Sequence, residues 1–177
     1  MNSISTKKIV LNGLMIALVF LATYIIQIPT LTGYVNVGDA AIMIVAILLG
    51  KNSALIAGAI GSSLADMAGG YFIYAPITFI VKGLEGFVIG LIVYKAVKAD
   101  SSRADEARLK GVAVGALIMI AGYFLAEAFI LGIFNKEYGL TTAVANLLPN
   151  VVQGVVTAVL GFLTSTALLK NGVRQYQ

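Results

Sequence analysis

PITFIVKGLEGFVIGLIVYKAV, residues 76–97, decides how this chain folds. Its apolar residues make a run long enough to cross a bilayer, which takes roughly 20 helical residues at about 1.5 Å each. Pro76 opens the run, a residue favoured in the first helical turn because its missing N–H has no partner to lose there. Inside the run stand Lys82 and Glu85. An ionised group in hydrocarbon costs from ~2.5 to well over ~10 kcal/mol, so both must face a protein interior or a wet cavity. Asp66 and Glu127 stand in equally apolar surroundings. All of these residues are functional candidates on that ground.

Outward from this run the composition keeps the same character. Of 177 residues, 59% are hydrophobic and 11% charged, and the mean hydropathy is +0.96. Soluble domains carry about 25% charged residues. Few could hide this much apolar surface at this length, so the bilayer is the expected solvent. The chain has no Cys and no His. That excludes disulfides, thiolate chemistry, the usual zinc ligands and Ser-His or Cys-His nucleophile pairs. No G-x-x-x-x-G-K-[ST] phosphate loop is present, so no intrinsic ATPase is indicated. Nor is there a paired-acid or metal-ligand pattern of the enzyme type, and no cofactor is expected.

Six apolar segments follow one another, at about 6–28, 39–49, 53–68, 76–97, 109–134 and 141–169. Pro29 and the polar turn 30–39 end the first, and Asp39 stands where it could cap the second. Gly50-Lys51-Asn52 reads as a tight turn, 69–75 as a loop with two tyrosines, and 98–110 as a polar, charged linker. Pro149 is expected to kink the last helix. Charges precede the first segment as in a signal peptide, but 9–28 is long enough to span, so it reads as a retained helix. With the N-terminus inside, Lys7, Lys8, Lys51, Lys95, Lys98, Arg103, Arg108, Lys110, Lys170 and Arg174 fall on the cytoplasmic side. Lys136 alone falls outside, and with Lys82 these account for all 12 Lys and Arg. The bias explains the net charge of +4 better than nucleic-acid affinity does. The expectation is an all-α integral membrane protein. It has six transmembrane helices, both termini cytoplasmic, and a single membrane domain over 1–177.

This topology puts Asp66, Lys82, Glu127, Asn146 and Asn150 within roughly 15 Å of the outer surface, counted at the helical rise. Tyr34, Tyr71, Tyr74, Tyr123 and Tyr138 fall in the same zone. Glu85 sits near mid-depth and Gln153 slightly deeper than Asn150. A cup with aromatic walls and a few fixed amides and charges suits a small ring-shaped solute. Each group also has a plainer reading. Tyrosines belong to interfacial belts. Glu127 and Lys82 could form a structural ion pair, Glu85 could neutralise Lys82 one turn away, and Asp66 could snorkel outward. The candidate ligand-binding residues are Glu127, Lys82, Asn150, Asn146, Tyr123, Tyr74, Tyr71, Asp66 and Tyr34.

Small residues recur at helical spacing: Gly58, Gly61, Ser62, Ala65 and Gly69 in the third segment, and Gly83, Gly86 and Gly90 in the fourth. These stripes read as close packing inside the bundle. Gly13 and Ala17 form a similar pair near the cytoplasmic end of the first helix, where they could instead dock another membrane protein.

The run VNVGDA at 35–40, followed by a short apolar helix and Leu49-Gly50, resembles the substrate-binding S components of energy-coupling factor (ECF) vitamin transporters. So do GSSLAD at 61–66, GYFIYAP at 70–76 and FIVKG at 79–83. The resemblance covers nearly the whole chain. It implies a vitamin receptor without catalysis in the bacterial plasma membrane, multi-pass, with the loop between the first two helices as a lid. It also implies partners: a membrane coupling (T) subunit and two ATPase subunits. The receptor is thought to topple in the membrane to release its ligand inside. In that family the small-residue patch of the first helix, often A-x-x-x-A, meets the coupling subunit. Here it reads Gly13-x-x-x-Ala17, with Ala22 one residue off the next step. YFLAE at 123–127 with PNVVQ at 149–153 is similar to the subgroup for pyridoxine-type or hydroxymethylpyrimidine-type ligands. Thiamine, riboflavin and pantothenate remain open alternatives. So do a membrane enzyme using Glu127 or Asp66 as acid or base, and a structural subunit that binds no ligand.

Overall fold

The computed structural model describes residues 6–173. Arg174, one of the charges counted above, lies outside the described residues. Six helices follow in order: α1 (Thr6–Ile25), α2 (Gly38–Leu49), α3 (Lys51–Ala68), α4 (Ala75–Ala99), α5 (Ala104–Phe134) and α6 (Leu140–Lys170). Of these, α1, α4, α5 and α6 are long and apolar enough to cross a membrane. α2 has 12 residues, about 18 Å at the helical rise against a hydrocarbon thickness of about 30 Å. It is short because it is enclosed: Ile42, Met43, Val45, Ala46 and Ile47 form the centre of the core and are fully buried. The outer face of the bundle is apolar instead, with Leu117, Phe129, Ile133 and Leu148 well exposed. That inversion suits hydrocarbon rather than water as the surrounding medium.

The glycine stripes of α3 and α4 make the tightest seam. A Cβ on Gly58 would stand 2.5 Å from the Lys82 carbonyl oxygen, one on Gly86 2.7 Å from that of Ala54, and one on Gly90 2.5 Å from the Lys51 Cα. Backbone meets backbone there, so no side chain fits. Gly61 does the same against α1, 2.7 Å from the Ile16 carbonyl oxygen. The pair on α1 behaves differently. Gly13 and Ala17 are exposed, and nothing lies within 4 Å of a Cβ built on Gly13. Only Val19 and Thr23 of α1 are buried.

The structure corrects several sequence expectations. The first helix stops at Ile25 rather than at 28. Gln27–Pro29 (β1) instead pairs antiparallel with Tyr34–Asn36 (β2), with Ile28 opposite Val35. Pro29 disfavours helix for the residue before it, and the Thr30 N–H donates to the Gly33 carbonyl at 2.9 Å to close the turn. The α2–α3 turn is Gly50 alone, at φ 82°, a left-handed backbone that glycine adopts at no steric cost. The 98–110 linker is mostly helical: α4 runs to Ala99, and α5 begins at Ala104 after a short turn at Ser101–Arg103. Ion pairs of Glu106 with Arg103 and Lys110, at 3.1 and 2.6 Å, lie along that helical start. α6 is one helix with Pro149 inside it, in line with the single last segment expected at 141–169. Asp39 does not cap α2. It lies inside the first turn, fully buried, and accepts from Lys82.

Candidate ligand-binding site

The hairpin β1–β2 folds back over one end of the bundle and closes a cavity with the ends of α3, α4, α5 and α6. Tyr34, Asp66, Tyr74, Tyr123, Glu127, Asn146 and Asn150 all line it. They come from distant parts of the chain, and the fold brings them to one place. Thr30, Gly33, Asn36, Thr78 and Gln153 complete the wall. The sequence reading had not singled out Asn36 or Thr78, whose ordinary polar side chains carry no positional signal. Gln153 enters the sequence reading by its depth and as the last residue of the PNVVQ motif, not as a candidate ligand contact.

Glu127 is the most constrained group. Its backbone lies where α5 widens into a π-helical turn, Ala126–Leu131, a distortion frequent at functional sites. Its Oε1 accepts from the Tyr74 hydroxyl at 2.9 Å and from Asn146 Nδ2 at 3.0 Å. Its Oε2 is buried and accepts no hydrogen bond, and the same holds for Asn146 Oδ1. Buried acceptors of this kind are uncommon and call for an explanation. Thr32 joins the group from the hairpin tip, accepting from Asn146 Nδ2 at 2.9 Å and sharing a 2.9 Å bond with the Tyr74 hydroxyl.

A second contact latches the hairpin on the α3 side. The Tyr34 hydroxyl donates to Asp66 Oδ1 at 2.5 Å. Burial, and then the neighbouring Asp66 carboxylate, push the Tyr34 pKa well above its ordinary value. Tyr34 therefore stays a phenol and a donor. Tyr71 does not line the cavity. It packs against the outer side of Tyr34, ring centroids 4.7 Å apart. Tyr138 meets Tyr74 edge-on at 5.6 Å, while Thr78 and Tyr123 share a hydroxyl bond of 2.9 Å.

Lys82 lies behind the wall rather than in it. Its ammonium donates to Asp39, stands 3.6 Å from Glu85 and lies 5.2 Å from the Tyr123 ring centroid. Lys82, Asp39 and Glu85 are each at most 1% exposed. The partner of Glu127 is therefore not Lys82, and Glu85 is the more distant of the two acids beside the ammonium. Gln153 ties this charge cluster to the hairpin. Its Nε2 donates to Asp39 Oδ2 at 2.6 Å, and its Oε1 accepts from the Asn36 backbone N–H at 2.7 Å.

A family model described as the S component of an ECF-type riboflavin transporter matches residues 3–170. The chain belongs to this family. An uncharacterized protein in the gap 3′ region of Pyrococcus woesei is 35% identical over 137 residues, 77% of this chain and 82% of its own length. The thiamine precursor transporter HmpT of Lactococcus lactis subsp. cremoris is 27% identical over 176 residues, 98% of this chain and 94% of its own. As an S component the protein is a substrate-binding subunit of a vitamin transporter, not an enzyme. The hairpin-covered cavity is rich in hydrogen-bonding groups, a lining that fixes the orientation of a small ligand.

The cavity encloses about 40 Å³. That is room for about three waters and far below the ~300 Å³ of a typical ligand pocket. The contacts of Tyr34 with Asp66 and of Thr32 with Asn146 and Tyr74 hold the hairpin over this volume.

Proposed function

We propose that this S component captures a single-ring vitamin precursor of the hydroxymethylpyrimidine type under the hairpin, for uptake driven by partner subunits. The observation that carries the reading is the pair of unsatisfied acceptors, Glu127 Oε2 and Asn146 Oδ1, on one wall of an aromatic-lined cavity. An exocyclic amine on a flat ring supplies donors to such a pair, and Tyr74 and Tyr123 offer ring faces for stacking. Asp66, Tyr34 and Asn150 define the rest of the cup. Lys82 and Tyr71 act from behind it, by fixing Asp39 and Tyr34. The similarity to a thiamine precursor transporter supports this ligand class over a pyridoxine-type one.

Riboflavin is the second reading, and the family description favours it. A fused three-ring flavin with a sugar-alcohol chain demands a far larger opening of the hairpin than a single ring does, and the similarity to a thiamine precursor transporter supports the smaller ligand.

The same reading takes the chain as a single membrane domain of the cell membrane with six spans and both termini cytoplasmic, which the one-sided Lys and Arg distribution supports. A membrane coupling subunit and two ATPases supply the energy, and the exposed Gly13 and Ala17 are the docking patch for the coupling subunit. Mass spectrometry of small molecules carried through mild extraction tests the ligand class. A bound aminopyrimidine is the expected result, whereas a flavin would overturn the assignment.

A further inference from the structure

A second cavity lies at the opposite end of the bundle from the hairpin, between the start of α1, the α2–α3 turn and the last turns of α4. It encloses about 510 Å³, a volume within the ~300–1,000 Å³ range of small-ligand sites. Lys7, Lys8 and Lys51 reach its lining, and among the described residues no acidic side chain does. Neither Lys8 nor Lys51 takes part in an ion pair among the described residues. The Lys51 ammonium lies instead over the rings of Phe87 and Tyr94, at 5.5 and 5.9 Å. The two ammonium groups of Lys8 and Lys51, without an ion-pair partner among the described residues, favour an anion there.

The remaining walls say what kind of anion. Leu11, Leu49 and Tyr94 give the cavity apolar sides. Along α1 the surface continues with Ile9, Val10 and Leu14, each more than half exposed. An amphiphile fits this gradient: its charged part among the lysines, its chains along α1. Asn12 also lines the cavity, and its Oδ1 is buried with no hydrogen-bond partner among the described residues. That oxygen asks for a donor beside the anion, such as a headgroup hydroxyl. We propose that the cavity binds the headgroup of an anionic phospholipid, with the phosphodiester among Lys7, Lys8 and Lys51 and a glycerol-type hydroxyl on Asn12. A soluble phosphate would use the lysines but not the apolar wall. The site is independent of the vitamin cavity, so it stands or falls without that reading.

The test is thermal unfolding of the full chain in a neutral detergent, titrated with dihexanoyl phosphatidylglycerol, dihexanoyl phosphatidylcholine or glycerol phosphate. Phosphatidylglycerol should raise the midpoint saturably, and the other two should not. Each lysine near an anionic headgroup is worth about 1 kcal/mol. The Lys8→Gln/Lys51→Gln variant should therefore bind about thirtyfold more weakly, while Lys136→Gln, far from the cavity, binds as the parent does. Lys8→Arg/Lys51→Arg keeps the charge and should keep the binding, which guards against a variant that simply fails to fold. An equal response to phosphatidylcholine overturns the proposal, as does an undiminished response in the Gln variant or a lost response in the Arg variant. An equal response to glycerol phosphate overturns the lipid assignment in favour of a soluble organic phosphate.

Discussion

Glu127 stands where α5 loosens into its π turn, with one carboxylate oxygen held by Tyr74 and Asn146 and the other left open in the cavity wall. Glu127→Gln keeps the shape and removes the charge. A charged hydrogen bond to ligand is worth roughly 1.5–3 kcal/mol, so affinity should fall by about one to two decades in a folded protein. Calorimetric titration checks this, and unchanged affinity in a well-folded variant would remove Glu127 from the site. The acid was legible in the sequence because a charge in an apolar helix is expensive wherever it lies. Asp39 was not, because an acid at the start of a short helix reads as a cap. Its real partner, Lys82, is 43 residues away. Lys82 was legible as buried, and the ion pair with Glu127 weighed for it does not form: its ammonium meets Asp39 and Glu85 instead, since depth along a helix gives no rotation about it.

At the scale of elements, the helices could be read to within a few residues because bilayer length and apolar runs constrain them. The hairpin could not. β1 and β2 are each 3 residues long, too short for a period to emerge, and their pairing depends on Tyr34 and Asn36 finding Asp66 and Gln153 across the chain. The resemblance implies a lid in the loop between the first two helices, and that loop is the hairpin that covers the cavity. The hairpin is held by few bonds: Tyr34 to Asp66, Thr32 to Asn146 and Tyr74, and the Asn36 N–H to Gln153. Such a contact set can open without unfolding the bundle. A spin label at Leu31, an exposed hairpin residue, paired with one at Leu148 on the outside of α6, should report a distance distribution that narrows when ligand is added. A distribution indifferent to ligand would contradict a moving lid.

For the whole molecule, the glycine seam between α3 and α4 makes a tight bundle while α1 stays largely on its surface. A receptor without an engine must present a face to its partners, and the Gly13–Ala17 face of α1 is not used in internal packing. Ala17→Trp should therefore abolish uptake in cells and leave ligand binding by the isolated chain intact, because an indole there meets open space rather than the core. Transport assays set beside binding assays decide it, and uptake that persists at the parent's rate would place the docking surface elsewhere. The family was legible from short motifs spread along the chain. The motifs at 123–127 and 149–153 pointed to a pyridoxine-type or hydroxymethylpyrimidine-type ligand, but the choice between them was not legible, since it depends on which buried acceptors lack partners in the folded cavity.

The proposed ligand class rests on the open acceptors Glu127 Oε2 and Asn146 Oδ1 beside the Tyr74 and Tyr123 rings. Its most direct test is equilibrium titration of the purified chain with 4-amino-5-hydroxymethyl-2-methylpyrimidine, pyridoxine and riboflavin under the same conditions. The account predicts that the aminopyrimidine binds at least about tenfold more tightly than either competitor, as one additional charged hydrogen bond supplies. Preferential binding of riboflavin, or no binding of any of the three, would contradict it.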